Sequence, residues 1–312
     1  MKVGIIGAGN VGSAAAYALI MRGIARKIVM VDLNEKRAIA EAEDILHATP
    51  FAYANKIKAG NYENLNGCGV VVITAGANQK PGETRLDLLE KNTKIFKSIV
   101  PEIVKNAPDA ILVVASNPVD VMTRVTMEIS GLPKERVFGT GTVLDTARFR
   151  SLLGYHLGVS AKSVHAHVLG EHGDSEVLAW SPANAGTIQI EEVAKDLGKP
   201  ITKEIKDKIE DGVVNAAYSI IEGKGSTYYG IGGGIARICQ AISSNEYAVL
   251  TVSTLHDDIE GVKDVCLSLP CIVGKRGIHQ IMHPRLNMQE SAKLKNSASV
   301  LKEAEDEALS FV

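Results

Sequence analysis

Cysteine is scarce in this chain. The four cysteines, Cys68, Cys239, Cys266 and Cys271, are scattered, and none forms a C-x-x-C pair. This spacing argues against a structural zinc site and against a disulfide framework, so we expect no bound metal and four free thiols. Free thiols are typical of a reducing cytoplasm, where we expect the protein to reside.

The chain also lacks a charge excess and any long hydrophobic run. Its formal net charge of −2 argues against a general nucleic-acid binder or a binder of anionic membranes. No apolar run reaches the roughly 18–20 residues that span a bilayer. The N-terminus enters a strand pattern at once, so we expect no secretory signal. The 312 residues suffice for about two domains with a sizeable core.

The most informative segment that is present follows the first strand pattern. Lys2–Ile6 is a short apolar run, residues 7–12 (GAGNVG) come next, and an alanine-rich helical pattern covers 13–22. A second apolar run, Lys27–Val31, ends at Asp32. A strand, a glycine turn, a helix and a second strand with an acid at its end form the pattern of a dinucleotide-binding unit.

Each part of this motif has a role in holding a dinucleotide. Gly7 permits a tight turn, Gly9 lets the backbone approach a pyrophosphate, and Gly12 lets helix and strand pack closely. The helix N-terminus offers free N–H groups and a partial positive charge. Asp32 would accept hydrogen bonds from the ribose hydroxyls and repel a 2′-phosphate, which favours NAD over NADP. The alternative is an ordinary strand–turn–helix.

Strand and helix patterns alternate through the first half, which predicts an α/β fold with a Rossmann doubly wound parallel sheet. Pro101 should kink or divide the long helix predicted over 84–105. In such sheets ligands bind beyond the carboxyl ends of the strands. The predicted strand ends that should line one crevice are Gly7, Asp32, Ala75, Ser116 and Gly139.

The alternation breaks down after about residue 144. We therefore expect a NAD-binding domain over 1–142 and an α+β catalytic domain over 143–312. Helical patterns cover 144–157, 203–222 and 228–243, and strand patterns cover 163–169, 248–255 and 265–273. The tail, 289–309, has amphipathic spacing and is predicted to be a solvated surface helix without a function.

Four side chains in the segments near that crevice suit acid–base chemistry on a carboxylate substrate. His172 lies between glycines after an apolar strand and can act as an acid or base near neutral pH. Asp145 could hold its ring in one tautomer. Arg148 suits a substrate carboxylate, and Arg85 could cover a polarised carbonyl. Taken singly, each could also be an ordinary surface ion pair or a solvated loop residue.

The segments GAGNVG, NQKPGETRLDL, SNPVD, GTGTVLDTARFR and GEHGDSE resemble the lactate/malate dehydrogenase family, in its bacterial L-lactate dehydrogenase branch. The resemblance implies reversible hydride transfer between NADH and pyruvate, giving L-lactate and NAD, as in glycolysis and fermentation. It makes His172 the proton donor and acceptor, with Asp145 as its orienting partner. Arg148 would then clamp the substrate carboxylate, and Arg85 would polarise the carbonyl.

Further contacts carry over by the same resemblance. Substrate binding would add Gln79, Asn117, Asp120 and Thr227. The cofactor would be held by Gly7, Gly9, Val11, Gly12, Asp32, Arg37, Tyr62, Gly76, Ala77, Ser98, Ala115, Asn117 and Thr140. Two departures from the family pattern are Ser226, where Ala is expected, and the unfamiliar SPAN at 181–184.

Gln79 predicts the choice of substrate. The second carboxylate of oxaloacetate should face the loop at Gln79, where a neutral amide cannot neutralise a charge leaving water. By resemblance, malate dehydrogenases carry Arg at this position. Malate dehydrogenase remains one alternative, and a catalytically silent NAD-binding protein is another. Nucleotide binding alone does not require the four catalytic side chains.

Arg150 and His165 match positions where bacterial enzymes of this type bind fructose 1,6-bisphosphate at a subunit interface. Two cationic side chains repeated by a twofold axis would make a pocket for a sugar phosphate. The resemblance also implies a homotetramer. The alternative is that Arg150 caps its helix and His165 is structural.

Overall fold

Strands and helices alternate through the first half of the computed structural model, which describes residues 1–53, 55–77 and 84–312. The strands are β1 (Lys2–Ile6), β2 (Lys27–Val31), β3 (Lys56–Ala59), β4 (Val70–Ile73), β5 (Ile111–Val114) and β6 (Val137–Gly139). The helices are α1 (Asn10–Met21), α2 (Glu35–Ala48), α3 (Arg85–Asn106) and α4 (Val119–Ser130).

The second half mixes helices with antiparallel strands. Its helices are α5 (Val143–Leu157), α6 (Ile190–Asp196), α7 (Lys203–Val214), α8 (Ala216–Lys224), α9 (Tyr229–Ser243) and α10 (Met288–Leu309). Its strands are β7 (Val164–Leu169), β8 (Val177–Ala185), β9 (Ile188–Gln189), β10 (Ala248–Ile259), β11 (Val262–Gly274) and β12 (Gly277–Ile281). None of the helices in the described ranges combines the length and apolarity needed to cross a bilayer.

The main sheet has the strand order β12-β11-β10-β6-β5-β4-β1-β2-β3. Its six parallel strands follow the order 3-2-1-4-5-6, so the direction of winding reverses between β1 and β4. β4 and β5 are buried along their whole length, as the β-branched runs predicted. The predicted doubly wound parallel sheet is confirmed, and ligands of such sheets bind outside the carboxyl ends of the strands at this reversal.

The second half extends the same sheet. β10 pairs antiparallel with β6 through Ser253 and Gly139, and β11 and β12 follow as antiparallel neighbours. A separate three-stranded sheet has the order β7-β8-β9. Gly170, at the end of β7, forms a bridge with Ser268 of β11 and so connects the two sheets.

Two helix predictions need correction. Pro101 does not divide its helix, because α3 runs unbroken through it. Pro101 is itself exposed, while Val100 and Ile103 are fully buried, so packing of the apolar face outweighs the missing N–H. The helix predicted over 203–222 is instead two helices separated at Asn215, whose side chain donates to the Asp211 carboxylate.

The predicted tail helix is present as α10 with an exposed polar face, but it is buried more deeply than a solvated surface helix. α10 has the expected amphipathic pattern, but its apolar face packs against α3, α4, β8 and β11. Leu294, Ala298 and Leu301 are almost fully buried. Two glutamates lie on this buried face, of which Glu290 accepts hydrogen bonds from the amides of Trp180 and Ser181.

Glu305 is the second glutamate on the buried face. It is 0% exposed, and its Oε1 accepts a hydrogen bond from the amide of Cys266 at 2.8 Å, whereas Oε2 has no partner among the described residues. Burial raises the pKa of Glu305 to about 9. The group is therefore protonated in the folded protein at neutral pH.

We predict that Glu305→Gln stabilises the protein at alkaline pH. When folding raises the pKa of a carboxyl group, the folded state loses stability as the pH rises above the pKa of that group in the unfolded chain. The loss grows until the pH reaches the pKa in the folded state. The gain should be of the order of a few kcal/mol at about pH 8, and small near pH 4.5. Thermal unfolding over this pH range measures it. Exposed Glu303 on the same helix gives the control Glu303→Gln, and equal effects of both variants would contradict the prediction.

Candidate active site

The glycine turn has the geometry that its sequence predicts. Gly7 has φ +104°, and a Cβ there would lie 2.7 Å from the amide nitrogen of Ala75. A Cβ on Gly12 would collide with the carbonyl oxygen of Gly7, so this glycine allows α1 to approach β1. A Cβ on Gly9 would meet no described atom within 4 Å. The turn thus fits a bound pyrophosphate approaching the backbone at Gly9 and the N-terminus of α1.

Asp32 lies at the end of β2, beside this turn. Its Oδ2 accepts a hydrogen bond from the Ala8 amide at 2.6 Å, and its Oδ1 accepts one from the Asn34 amide at 2.8 Å. These two bonds fix the carboxylate at the strand end. Each oxygen keeps a second lone pair that a ribose hydroxyl can use.

Asn92 connects the loops after β4 and β5 through hydrogen bonds, and no sequence motif indicated it. Asn92, fully buried on α3, accepts a hydrogen bond from the Ala77 amide at 2.8 Å and donates one to the Asn117 carbonyl at 3.0 Å. The Ser116 hydroxyl donates to the Ala75 carbonyl at 2.6 Å. The peptide bond between Asn117 and Pro118 is cis. No motif marks Asn92, since its signal is a polar residue on the buried face of an amphipathic helix.

Asp145 holds two of the predicted catalytic residues. It lies in the first turn of α5, is 1% exposed, and uses both carboxylate oxygens. Nη1 of Arg148 donates to Oδ1 at 2.7 Å, and Nδ1 of His172 donates to Oδ2 at 2.6 Å. The hydrogen bond to Asp145 fixes the imidazole of His172 through Nδ1, so Nε2 is the ring nitrogen that can contact a substrate.

A second buried carboxylate holds the backbone of His172. Asp120, 1% exposed in the first turn of α4, accepts the His172 amide hydrogen at Oδ2 over 2.8 Å. Its Oδ1 has no partner among the described residues. Burial raises the pKa of Asp120 to about 6, even though the nearby Ser253 hydroxyl and the His172 amide favour its charged form. The sequence placed Asp120 among the substrate contacts, and this contact with the histidine loop is new.

The electrostatics of the pair favour a charged imidazole. Burial alone would lower the pKa of His172, but the Asp145 carboxylate outweighs burial and raises it to about 9. Burial likewise opposes the ionised form of Asp145, but the charge of His172 keeps the pKa of Asp145 below its ordinary value. The pair is therefore an imidazolium–carboxylate ion pair at neutral pH, with one transferable proton.

The tail helix positions the histidine loop, which the sequence did not indicate. The Ser297 hydroxyl of α10 accepts the Glu171 amide hydrogen at 2.8 Å and lies 3.1 Å from the Ser175 hydroxyl. Gly170 has φ +83°, and a Cβ there would lie 2.5 Å from Ser297 Oγ. Glycine is required at position 170 both by its backbone conformation and by this close approach.

Ser226, one of the two departures from the family pattern, contacts the glycine turn. Nδ2 of Asn10 donates to Oγ of Ser226 at 3.2 Å, and Nη2 of Arg37 donates to Oδ1 of Asn10 at 3.4 Å. Thr227, predicted to line the substrate site, is the next residue. This segment between α8 and α9 therefore lies beside the turn predicted to bind the cofactor.

The other predicted cofactor residues lie on several elements. Gly76, Ala77, Ala115 and Thr140 follow the carboxyl ends of β4, β5 and β6, and Val11 lies in the first turn of α1. Tyr62 follows β3, where burial, with the charges of Glu102 and Asp32, raises its pKa. Ser98 lies on exposed α3 surface and donates to its own helix at the Ile95 carbonyl, so its role stays a prediction.

Two predicted substrate contacts cannot be placed. Gln79 lies outside the described residues, as does the rest of segment 78–83. Arg85 is described only as the first residue of α3. Their roles stay predictions from the sequence.

The predicted effector residues lie on neighbouring elements. Arg150 of α5 donates to the carbonyls of Ala161 and Lys162, at 3.2 and 3.3 Å. His165 of β7 is exposed. Burial, together with Arg150 and His165, lowers the pKa of His167 to about 4, so both of these predicted effector residues lie near His167.

These features define a dinucleotide-dependent oxidoreductase with an acid–base centre. The strand order and the glycine turn with its acid provide the nucleotide site, and the histidine paired with a buried carboxylate provides the acid–base centre. The family model for the NAD binding domain of lactate/malate dehydrogenase matches residues 1–139. The model for the α/β C-terminal domain of the same family matches residues 142–312.

Individual relatives agree with these matches. The chain is 55% identical to the L-lactate dehydrogenase of Thermus aquaticus, with 97% of this chain and 98% of that protein covered. It superposes on a lactate dehydrogenase from a deep-sea metagenome with a TM-score of 0.95 at 41% identity, covering 98% of both chains. The minor L-lactate dehydrogenase of Enterococcus mundtii gives 0.94 at 43% identity, covering 98% of this chain and 97% of that one.

The chain belongs to the lactate/malate dehydrogenase family, and its cofactor is NAD. The residues present fit that cofactor. The close approaches at Gly7 and Gly12 form the turn, the open space at Gly9 admits a pyrophosphate, and the Asp32 carboxylate suits unphosphorylated ribose.

Proposed function

We propose that this protein is an L-lactate dehydrogenase, which interconverts pyruvate and L-lactate with NADH and NAD. The observation that carries the proposal is the single buried carboxylate of Asp145, which bonds His172 and Arg148 at once. This carboxylate holds a proton donor beside a guanidinium. Reduction of a 2-keto acid needs the first for the ketone oxygen and the second for the substrate carboxylate. Relatives that are named L-lactate dehydrogenase match nearly the full chain and support the same conclusion.

Arg148 binds the substrate carboxylate in this mechanism. Its ion pair with Asp145 uses Nη1, so the remaining N–H groups of the fork can form a bidentate contact with a carboxylate. The side chain is 16% exposed, and this partial burial strengthens its attraction for an anion. Binding here orients the neighbouring ketone carbon.

His172 holds and moves the proton. In pyruvate reduction the protonated Nε2 donates to the ketone oxygen, and Asp145 stabilises the imidazolium before the transfer. The reduced nicotinamide, when bound, supplies the hydride to the carbonyl carbon. In lactate oxidation the neutral imidazole removes the hydroxyl proton. Reduction therefore requires the form of His172 present below its pKa of about 9, and oxidation requires the form above it.

The remaining roles follow the family pattern. Arg85 polarises the ketone, while Asn117 and Thr227 contact the substrate, together with Gln79 and Asp120. Residues 1–142 bind the cofactor and 143–312 supply the acid–base centre. Cofactor contacts come from the glycine turn, Asp32, Arg37, Tyr62, Ser98 and the loops after β4, β5 and β6. A silent NAD-binding protein would have no use for the Asp145 pairings, which disfavours that alternative.

We predict that His172→Gln binds NADH nearly as well as the native protein but turns over pyruvate about 10²–10⁴-fold more slowly. The amide cannot transfer the proton, and the cofactor contacts lie on other elements. NADH fluorescence titration measures binding, and NADH absorbance with pyruvate, oxaloacetate and other 2-keto acids measures turnover. Native-like turnover in the variant would remove His172 from the mechanism, and a native protein inactive on every acid would refute the function.

We predict that native Gln79 selects pyruvate and that Gln79→Arg favours oxaloacetate. An unpaired buried carboxylate costs several kcal/mol, which corresponds to roughly a thousandfold discrimination. Arginine would pair with the extra carboxylate and leave an unmatched charge beside the methyl group of pyruvate. The ratio of kcat/KM for the two acids in both forms measures the effect.

Adjacent Lys80 provides the matched control for Gln79→Arg. Lys80→Gln changes the charge of the same segment at the adjacent position but leaves Gln79 in place. If Gln79 selects the substrate, this variant should leave the ratio of kcat/KM for the two acids nearly unchanged. If Lys80→Gln changes the ratio and Gln79→Arg does not, Lys80 is the selector.

We also infer a cytoplasmic homotetramer that fructose 1,6-bisphosphate activates through Arg150 and His165. All four cysteines are buried and free, which suits a reducing compartment. The sugar bisphosphate should lower the pyruvate KM or increase the tetramer fraction, and Arg150→Gln with His165→Gln should abolish both responses. Saturation curves and analytical ultracentrifugation test this. Unchanged curves and unchanged mass in the native protein would contradict the assignment.

A further inference from the structure

Glu176 is a half-buried acid beside the catalytic pair that the mechanism above does not use. A carboxylate oxygen of Glu176, one of Asp145 and a ring nitrogen of His172 all lie within 4.8 Å of one another. Oε1 of Glu176 is buried and has no hydrogen-bond partner in the described part of the chain. A second carboxylate next to Asp145 would repel it, so this arrangement favours an uncharged Glu176.

Charged groups from several elements face Glu176. Asp145 and Arg148 come from α5, and Glu171 and His172 come from the loop after β7. Glu176 also lines a cavity of about 520 Å³, together with Asp174, Glu210 of α7 and Lys293 of α10. Burial, with the charge of Asp145, raises the pKa of Glu176 to about 8, although His172 and Arg148 oppose the rise.

We propose that Glu176 is a positioning residue that sets the alkaline limit of pyruvate reduction by controlling the charge beside the Asp145–His172 pair. This inference rests on the proposed function. At neutral pH Glu176 is an uncharged acid, and the carboxylates of Asp145 and Asp120 stabilise the imidazolium. As the pH rises, Glu176 ionises and adds a negative charge that keeps His172 protonated to a higher pH.

The sign of the effect follows from the two titrations. Ionised Glu176 raises the pKa of His172, so removing that charge lowers the pH at which the imidazole loses its proton. The same ionisation places a negative charge near the guanidinium that binds an anionic substrate. The native protein should therefore keep its turnover number to a higher pH, while its affinity for pyruvate declines.

The experiment compares native protein with Glu176→Gln, which reproduces the uncharged acid at every pH. Below about pH 7 the two should have the same kcat and KM. Above that, kcat of the variant should fall at a pH lower by about one unit, a shift expected for charges some 5 Å apart in a partly screened site. The pyruvate KM of the variant should rise less between pH 7.5 and 9. Exposed Glu192 of α6 supplies the control Glu192→Gln, which should match the native profile.

A second measurement reports the protonation state of His172 independently of catalysis. Diethyl pyrocarbonate modifies only neutral imidazole, and the His172 side chain is 25% exposed. Peptide mass spectrometry should show severalfold faster modification of His172 at pH 8.5 in Glu176→Gln than in native protein. Identical labelling and identical kcat profiles would overturn the proposal, as would loss of activity at all pH values. A native protein inactive on 2-keto acids would refute the proposed function, whereas the labelling result would still test the effect of Glu176 on His172.

Discussion

The ion pair between Asp145 and His172 is the interaction on which the rest of the site depends. A buried carboxylate is costly unless its oxygens are satisfied, and here one oxygen takes Arg148 and the other takes the imidazole. The arrangement therefore requires α5, which carries Asp145 and Arg148, and the loop after β7 to meet at a fixed distance. Asp120 and Ser297 hold that loop by its backbone, from α4 and α10. Removing Asp120 or Ser297 would leave a backbone amide of this loop without its hydrogen-bond partner.

Much of the fold could be predicted because its signals are local. The apolar runs at β4 and β5 and the glycine turn after β1 are each readable within a few residues, and the parallel order follows from their alternation with helices. β3 could not be predicted, because Lys56–Ala59 is short and half of it is lysine. The burial of α10 was also missed. Alanine and serine line much of its buried face, and small residues give a weak hydrophobic pattern.

The candidate site divides in the same way. Asp145, Arg148 and His172 were predicted, and the structure brings them into contact through one carboxylate. Asn92 and Ser297 were missed, because each acts through a partner that is remote in sequence. Glu176 belongs to the segment GEHGDSE but was given no role, because its proximity to Asp145 arises only in the folded chain. Ser297, for example, contacts the amide of Glu171, which lies 126 positions away. Such contacts exist only after folding, so no motif marks them.

The junction between β6 and β10 has a consequence for the order in which the sheet can be completed during synthesis. β6 has β5 on one side, and its other edge is covered through the pairing of Gly139 with Ser253. A ribosome must add more than a hundred residues after Gly139 before that partner exists. Until then the nascent chain carries a strand edge with unpaired backbone groups, which is the usual template for association between chains. The nucleotide-binding half is thus the first to be made, yet its sheet is closed by strands from the last quarter of the sequence.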